Sequence, residues 1–446
     1  MANVLPHGGA AANRSTQATS SFDADAQSPN NHHRVAMSGE AAPTKHPVDS
    51  GATAWLHVVL MHIVFFNTWG VANGYGVFQE FYTRTLGQDE SAVAWIGSVQ
   101  VFFLFSIGVI AGRITDAGYF RVVFTCGVSL QVFALFMLSL CSTYWQIFLA
   151  QAVCLGIGNG LTFCPALAVL SQYFHTRRAL AVGLSAAGAA VGGLVYPILI
   201  HWLLFRDDIG FPWTIRAMAF IMFATYAPCL VLFRPRLPPS DMAGWVDWSA
   251  FSDVAFIFFS LSMFLNFWGL YLAFFYLGTF ARDQIGPSGD ASPINLVMVL
   301  NGVGIIGRIF PPLVADKWTG MLNLLVPSSF MASVLVFCWA AVDSEAGLFA
   351  FAVVYGILAA ALQALFPAVA ITMTPTPEKT GTRVGMIFSF VSLANLTGPA
   401  ICGAIIRQQG GSYIGAQMFG ASSILLGAIM AACVRRSRAR RWKCKV

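Results

Sequence analysis

The stretch LNGVGIIGRIFPPLVADKWTG, residues 300–320, puts a guanidinium inside an apolar segment. Arg308 is followed by its next charged neighbours, Asp316 and Lys317, only eight positions later. At about 1.5 Å per helical residue it lies roughly 12 Å from them. An arginine at bilayer depth costs roughly 2.5–3.5 kcal/mol on insertion scales, so it is kept where it faces a bundle interior or a wet cavity. Arg308 is a candidate for a substrate-binding or gating role. The competing reading, a side chain snorkelling to the headgroups, is weakened by that depth, although Pro311–Pro312 make the helix irregular. His62 is the other titratable group at depth. It has the pKa class of a proton relay, or it is a hydrogen-bonded structural histidine. Asn67, Asn73, Tyr75, Asn266, Trp268, Tyr271, Asn301 and Asn395 are further candidates, able to hydrogen-bond a ligand or stack on it. Their competing role is interhelical hydrogen bonding.

The elements that must position these residues are membrane spans. The 446 residues are 57% hydrophobic and 10% charged, with a mean hydropathy of +0.69. A soluble domain is nearer a quarter charged. Apolar runs of about 20 residues, each long enough to cross about 30 Å of hydrocarbon, are expected at 55–80, 92–113, 119–141, 145–171, 179–205, 213–233, 253–281, 293–314, 322–342, 346–373, 384–406 and 413–434. Residues 1–50 read as a disordered cytosolic tail without a signal-peptide pattern. Residues 234–252 are polar and proline-rich, and residues 435–446 form a basic tail. The nine cysteines show no CxxC pair and no metal-ligand spacing, so no metal or cofactor is expected. The net charge of +6 follows topology and carries no nucleic-acid signal.

With a cytosolic N-terminus, every Lys and Arg except Arg84, Arg206, Arg216, Arg282 and Arg407 falls in the cytosolic segments. That bias places both termini in the cytosol. Internal repetition divides the chain. Asn67-Thr68-Trp69-Gly70 recurs as Asn266-Phe267-Trp268-Gly269 at a shift of 199, and Gly112-Arg113-Ile114 recurs around Arg308 at 195. The segment starting at Pro165 recurs at Pro367, a shift of 202. The expected fold is an all-α polytopic membrane protein. Twelve transmembrane helices form two pseudo-symmetric six-helix bundles, 51–233 and 253–434, joined by the cytosolic linker 234–252. Parallel repeats with a midplane site between them are a transporter architecture.

The motifs resemble the major facilitator superfamily. The segment from Gly112 through Asp116 to Arg121 is similar to its cytosolic loop motif, with Asp116 and Arg121 implied as a charge relay that latches neighbouring helices. Asp316-Lys317 and Gly320 are similar to the second-half counterpart. Residues 156–199, GIGNGLTFCPALAVLSQYFHTRRALAVGLSAAGAAVGGLVYPIL, resemble the monocarboxylate-porter family, especially its fungal members. That resemblance runs from about Trp55 to Val434. It implies that Arg308 holds the substrate carboxylate. Tyr75 matches a family tyrosine, but Gln79 stands where the family has a lysine, and Gly304 where it has an acid one turn before the arginine. Proton symport of a lactate-type anion by the family route is therefore not expected.

The expected function is secondary active transport by alternating access of a small organic acid or related metabolite, leaning to export of a secondary-metabolite pathway product. Uptake of a monocarboxylate or a riboflavin-like compound, and a non-transporting sensor, are the alternatives. No ATP-binding loop and no catalytic motif is present, so neither an ATP pump nor an enzyme is expected. The implied partners are an organic anion, the lipid bilayer and, as candidate coupling ion, the proton. The expected location is the plasma membrane, with a vacuolar membrane as alternative.

Overall fold

A computed structural model describes residues 51–88, 90–204, 209–239, 246–286, 293–374 and 379–438. The tail 1–50, residues 240–245 of the linker and residues 439–446 of the basic tail lie outside the described residues. The described chain is helical throughout its regular structure, as an apolar chain must be when no water is available to its backbone. Eleven helical stretches among the described residues are long and apolar enough to cross a membrane.

Several of these stretches are compound, and the first two differ most from expectation. The first runs Ala52–Leu86, longer than the expected 55–80. It contains α1 (Ala52–Asn73) and α2 (Tyr75–Leu86), joined at Gly74. The second runs Ala92–Leu138, 47 residues. It joins α3 (Glu90–Ser106), α4 (Gly108–Ile114), the turn Thr115–Tyr119 and α5 (Phe120–Leu138). Gly118 has φ +93°, a left-handed value that breaks the helix. The break separates the expected runs 92–113 and 119–141.

After α6 (Tyr144–Ile147) and α7 (Gly156–Ser171) come α8 (Arg178–Leu204), α9 (Gly210–Leu232), α10 (Val254–Phe280) and α11 (Pro293–Val314). The chain closes with α12 (Met321–Trp339), α13 (Glu345–Thr372), α14 (Thr380–Gln408) and α15 (Ile414–Arg438). Small residues let backbones touch. A Cβ on Gly188 of α8 would overlap the His62 carbonyl of α1, and one on Gly183 would overlap the Arg308 carbonyl of α11. Such contacts replace the hydrophobic drive that lipid removes. They seat α8 against α1 on one side and α11 on the other.

Candidate functional site

Arg308 lies on α11 and is 1% exposed. Gly307 beside it lets α13 close in, because a Cβ there would overlap the Ile357 carbonyl. That approach brings Gln363 of α13 to the guanidinium, and Arg308 Nη2 donates to Gln363 Oε1 at 2.6 Å. Among the described residues no carboxylate pairs with Arg308. Gly304, one turn earlier, leaves the space that the guanidinium occupies: a Cβ there would sit 2.6 Å from Arg308 Nη1. The arginine is therefore a buried cation held by a neutral amide.

Arg308 and Gln363 line a narrow cavity, of about 20 Å³ as it stands. Its walls are Phe65, Phe105, Phe163, Phe267, Phe366 and Phe388. These rings pack on one another, with Phe105 and Phe388 centroids 5.0 Å apart and Phe267 and Phe366 also 5.0 Å apart. Trp69 and Tyr271 complete the lining, their rings parallel within 3° at 6.4 Å. Phe65 and Trp69 stand four apart on α1, Phe267 and Tyr271 four apart on α10, and the two pairs are 202 positions apart. Tyr271 also borders a second cavity that Asn73 and Tyr75 line.

The sequence candidates separate clearly. Arg308 is at the central cavity and Tyr75 at the second. Asn67 is fully buried, donating to Thr225 Oγ1 at 2.9 Å and accepting from the Tyr196 hydroxyl at 2.7 Å. It ties α1 to α8 and α9. Asn266 donates to the Ser262 carbonyl at 2.8 Å and accepts from the Ser329 hydroxyl, tying α10 to α12. Trp268 faces away from the cavity, donating to Thr397 Oγ1 at 3.0 Å and packing on Phe419. Asn301 lies against Gly193 of α8 and donates to the Val297 carbonyl at 3.0 Å. Gln79, buried on α2, lines neither cavity. His62 Nδ1 donates to the Leu184 carbonyl at 2.9 Å, a pin between α1 and α8 outside both cavities. His57, one turn and a half earlier, is the more buried histidine, and the sequence reading passed over it. It is 1% exposed and stacks on Tyr173 at 4.0 Å.

The loop motif clasps helix ends. Asp116 accepts from the Gly381 and Thr382 amides at 3.2 and 2.8 Å and from Thr382 Oγ1 at 2.8 Å. It thus covers the N-terminus of α14. Asp316 accepts from the Ala179 and Leu180 amides of α8 at 3.2 and 2.7 Å. In both cases a carboxylate meets orphan N–H groups and the positive end of a helix dipole. Gly112 permits the first contact, since a Cβ there would overlap the Gly381 carbonyl. The expected Asp116–Arg121 relay is not formed. Arg121 is exposed, and the positive charge felt by Asp116 is Arg113. Lys317 is also exposed, 5.9 Å from the Trp318 ring.

A third clasp was not read from the sequence. Asp247, at the far end of the linker, accepts from Arg383 Nε of α14 at 2.8 Å and lies 3.5 Å from Lys379 Nζ. Partial burial disfavours its charge, but hydrogen bonds from Ser249 and Arg383 and the two cations outweigh that. They hold its carboxyl at about 2.

Membrane-length helices converging on an aromatic cavity with a cation at its wall, and acidic clasps on helix ends, have the build of a carrier for small molecules. A profile of the Major Facilitator Superfamily matches residues 60–376, and the chain belongs to that family of integral membrane transporters. It is 41% identical over 382 residues to an MFS-type transporter of Gibberella zeae, covering 85% of this chain and 86% of that one. It is 33% identical over 393 residues to the aspyridones efflux protein apdF of Emericella nidulans, covering 87% and 79%. With the agnestins efflux protein AgnL12 of Paecilomyces divaricatus it shares 32% over 419 residues, covering 93% and 95%. In fold it is similar to the transporter FucP in its outward conformation, with a TM-score of 0.67 at 15% identity over 86% of this chain and 99% of that one.

Proposed function

We propose that this transporter exports an organic anion, a product of secondary metabolism, and that Arg308 holds the anion at the centre of the membrane. The observation that carries the reading is the buried guanidinium without a carboxylate partner. An uncompensated buried charge is costly, and a ligand anion supplies the missing countercharge. The efflux named for two of the relatives supports the outward direction. The sequence resemblance to the monocarboxylate-porter family supports a carboxylate-type anion.

In this reading the break at Gly118 divides two spans. The chain then has twelve, in six-helix bundles at 51–233 and 253–434. The lysine and arginine distribution supports cytosolic termini and cytosolic clasps at Asp116 and Asp316, and the family resemblance supports the plasma membrane. Tyr75 lines the route from the outer side, while Asn67, Asn266, Trp268 and Asn301 hold helices together. Gly304 and Gln79 remove two titratable groups, so the anion moves by uniport or exchange rather than with a proton.

The test is flux in proteoliposomes that contain a trapped pH dye. Purified protein and Arg308→Ala are compared against a panel of aromatic and aliphatic carboxylates. The expected result is saturable flux without internal pH change, lost in the variant. Equal flux through both proteins would remove Arg308 from the site.

A further inference from the structure

The central cavity selects more than negative charge. Its polar groups are unequal in what they can accept. Arginine only donates, so the Gln363 atom facing Arg308 is its oxygen, and the Gln363 amide N–H₂ is left over. Gln363 Nε2, Trp69 Nε1 and the Tyr271 hydroxyl have no hydrogen-bond partner and are buried. Trp69 is 6% and Tyr271 4% exposed. Arg308 and Trp69 are donors alone, the acceptor oxygen of Gln363 is already taken, and the Tyr271 hydroxyl is left as the group that can also accept. Orphan donors of this kind are rare in native interiors and costly when unmade. The rest of the wall is apolar, six phenylalanines with Ala186, Ala189 and Pro367.

We infer that the ligand is a planar aromatic anion with at least one further acceptor oxygen and few donors, such as an oxo-substituted aromatic carboxylate. Arg308 takes the charged end. The parallel faces of Trp69 and Tyr271 and the phenylalanine walls take the ring system. The indole N–H, the Gln363 amide and the Tyr271 hydroxyl take the second acceptor. With its rings packed together the cavity has room for little more than a water, so the walls part around the ligand. Short aliphatic acids leave the orphan donors unmade and the aromatic walls unfilled. This inference rests on the anion-site reading of Arg308 and adds Trp69 and Gln363 as specificity residues.

The test is calorimetric binding to the purified full chain. The probes are chromone-2-carboxylate, which carries a ring carbonyl, 2-naphthoate, which lacks one, and cyclohexanecarboxylate. Wild type is expected to bind chromone-2-carboxylate about tenfold more tightly than 2-naphthoate, the effect of one buried hydrogen bond. Cyclohexanecarboxylate should be weakest. Trp69→Phe keeps a ring but removes the N–H, and should erase the chromone advantage, bringing the two aromatic acids to equal affinity. Should Trp69→Phe fail to fold, Tyr271→Phe makes the same comparison with a smaller change. Equal weakening of both aromatic acids in the variant would overturn the donor role. Cyclohexanecarboxylate binding as tightly as the aromatic acids, or no binding of any probe, would overturn the substrate class. Arg308→Gln should lose both aromatic acids. If it retains them while Trp69→Phe discriminates, the anion anchor fails and the donor reading stands.

Discussion

Gly304 offers the sharpest perturbation. Its missing side chain is the space in which Arg308 Nη1 lies, 2.6 Å from where a Cβ would stand. Gly304→Asp therefore brings a carboxylate against the guanidinium. At about 4 Å and an effective dielectric of 20, the attraction is about 4 kcal/mol. An incoming anion must compete with it, so its affinity should fall by up to about 10³-fold. The new carboxyl has a depressed pKa while it is paired with Arg308. That pKa rises once the ligand anion takes the arginine. Between these two values each anion binds together with one proton, and its affinity falls up to tenfold per pH unit as pH rises. Wild type should show no such slope. Gly304→Asn, equal in size but uncharged, separates crowding from charge. The assay is anion flux in proteoliposomes with internal pH recorded across pH 5–8. Wild-type affinity and no proton movement in Gly304→Asp would refute the arrangement of Gly304 beneath the guanidinium.

The other predictions concern the clasps and the histidine pin. Asp116→Asn and Asp316→Asn should each weaken the clasped end by about 1–2 kcal/mol. The readout is about tenfold faster alkylation, in a cysteine-free background, of Val384→Cys on α14 for Asp116→Asn and of Val182→Cys on α8 for Asp316→Asn. Asp247→Ala leaves the Arg383 guanidinium buried without its carboxylate and should cost about 3–5 kcal/mol, seen as a lowered Tm in detergent. Because the Asp247 carboxyl is held at about 2, its contribution is complete above the ordinary aspartate pKa of about 4 and fades below it. The Tm gap between wild type and variant should be constant from pH 5 to 8 and narrow only in stronger acid. His62→Ala should lower stability by about 0.6 kcal/mol, the usual worth of a hydrogen bond between membrane helices. It should leave the pH profile of flux unchanged, and a lost or shifted profile would restore the relay role.

Arg308 was legible because a guanidinium in an apolar run is expensive wherever it points. Asp116 and Asp316 were legible because their loop motif is local. The asparagines were not, since an amide in a membrane helix is equally content with a ligand or a neighbouring helix. One residue of slip turns a helix by about 100°, and only packing decides which side faces inward. The Asn-x-Trp-Gly repeat shows this. Its shift of 199 pairs Trp69 with Trp268, yet the cavity is built at a shift of 202, where Trp69 answers Tyr271. The Pro165–Pro367 repeat carried that register, and Pro367 itself lines the cavity. Gln363 left no signal, because its role exists only once α11 and α13 close at Gly307. The six wall phenylalanines were hidden among 38.

The pairing of Arg308 with a neutral amide has an electrical consequence. In the cycle proposed above, an empty carrier moves a net positive charge at its centre, whereas a carrier loaded with a monoanion moves none. A membrane potential therefore acts on the return of the empty site and not on the loaded passage. A full unit charge crossing 100 mV is worth about 2.3 kcal/mol, and a site at mid-depth feels a part of it. With the interior negative and the clasps on the cytosolic side, as proposed, the vacant site is drawn back toward the inner face, where the next anion binds. The resting voltage of the cell then biases the cycle outward, and a potassium diffusion potential of either sign imposed on liposomes should speed or slow net export accordingly.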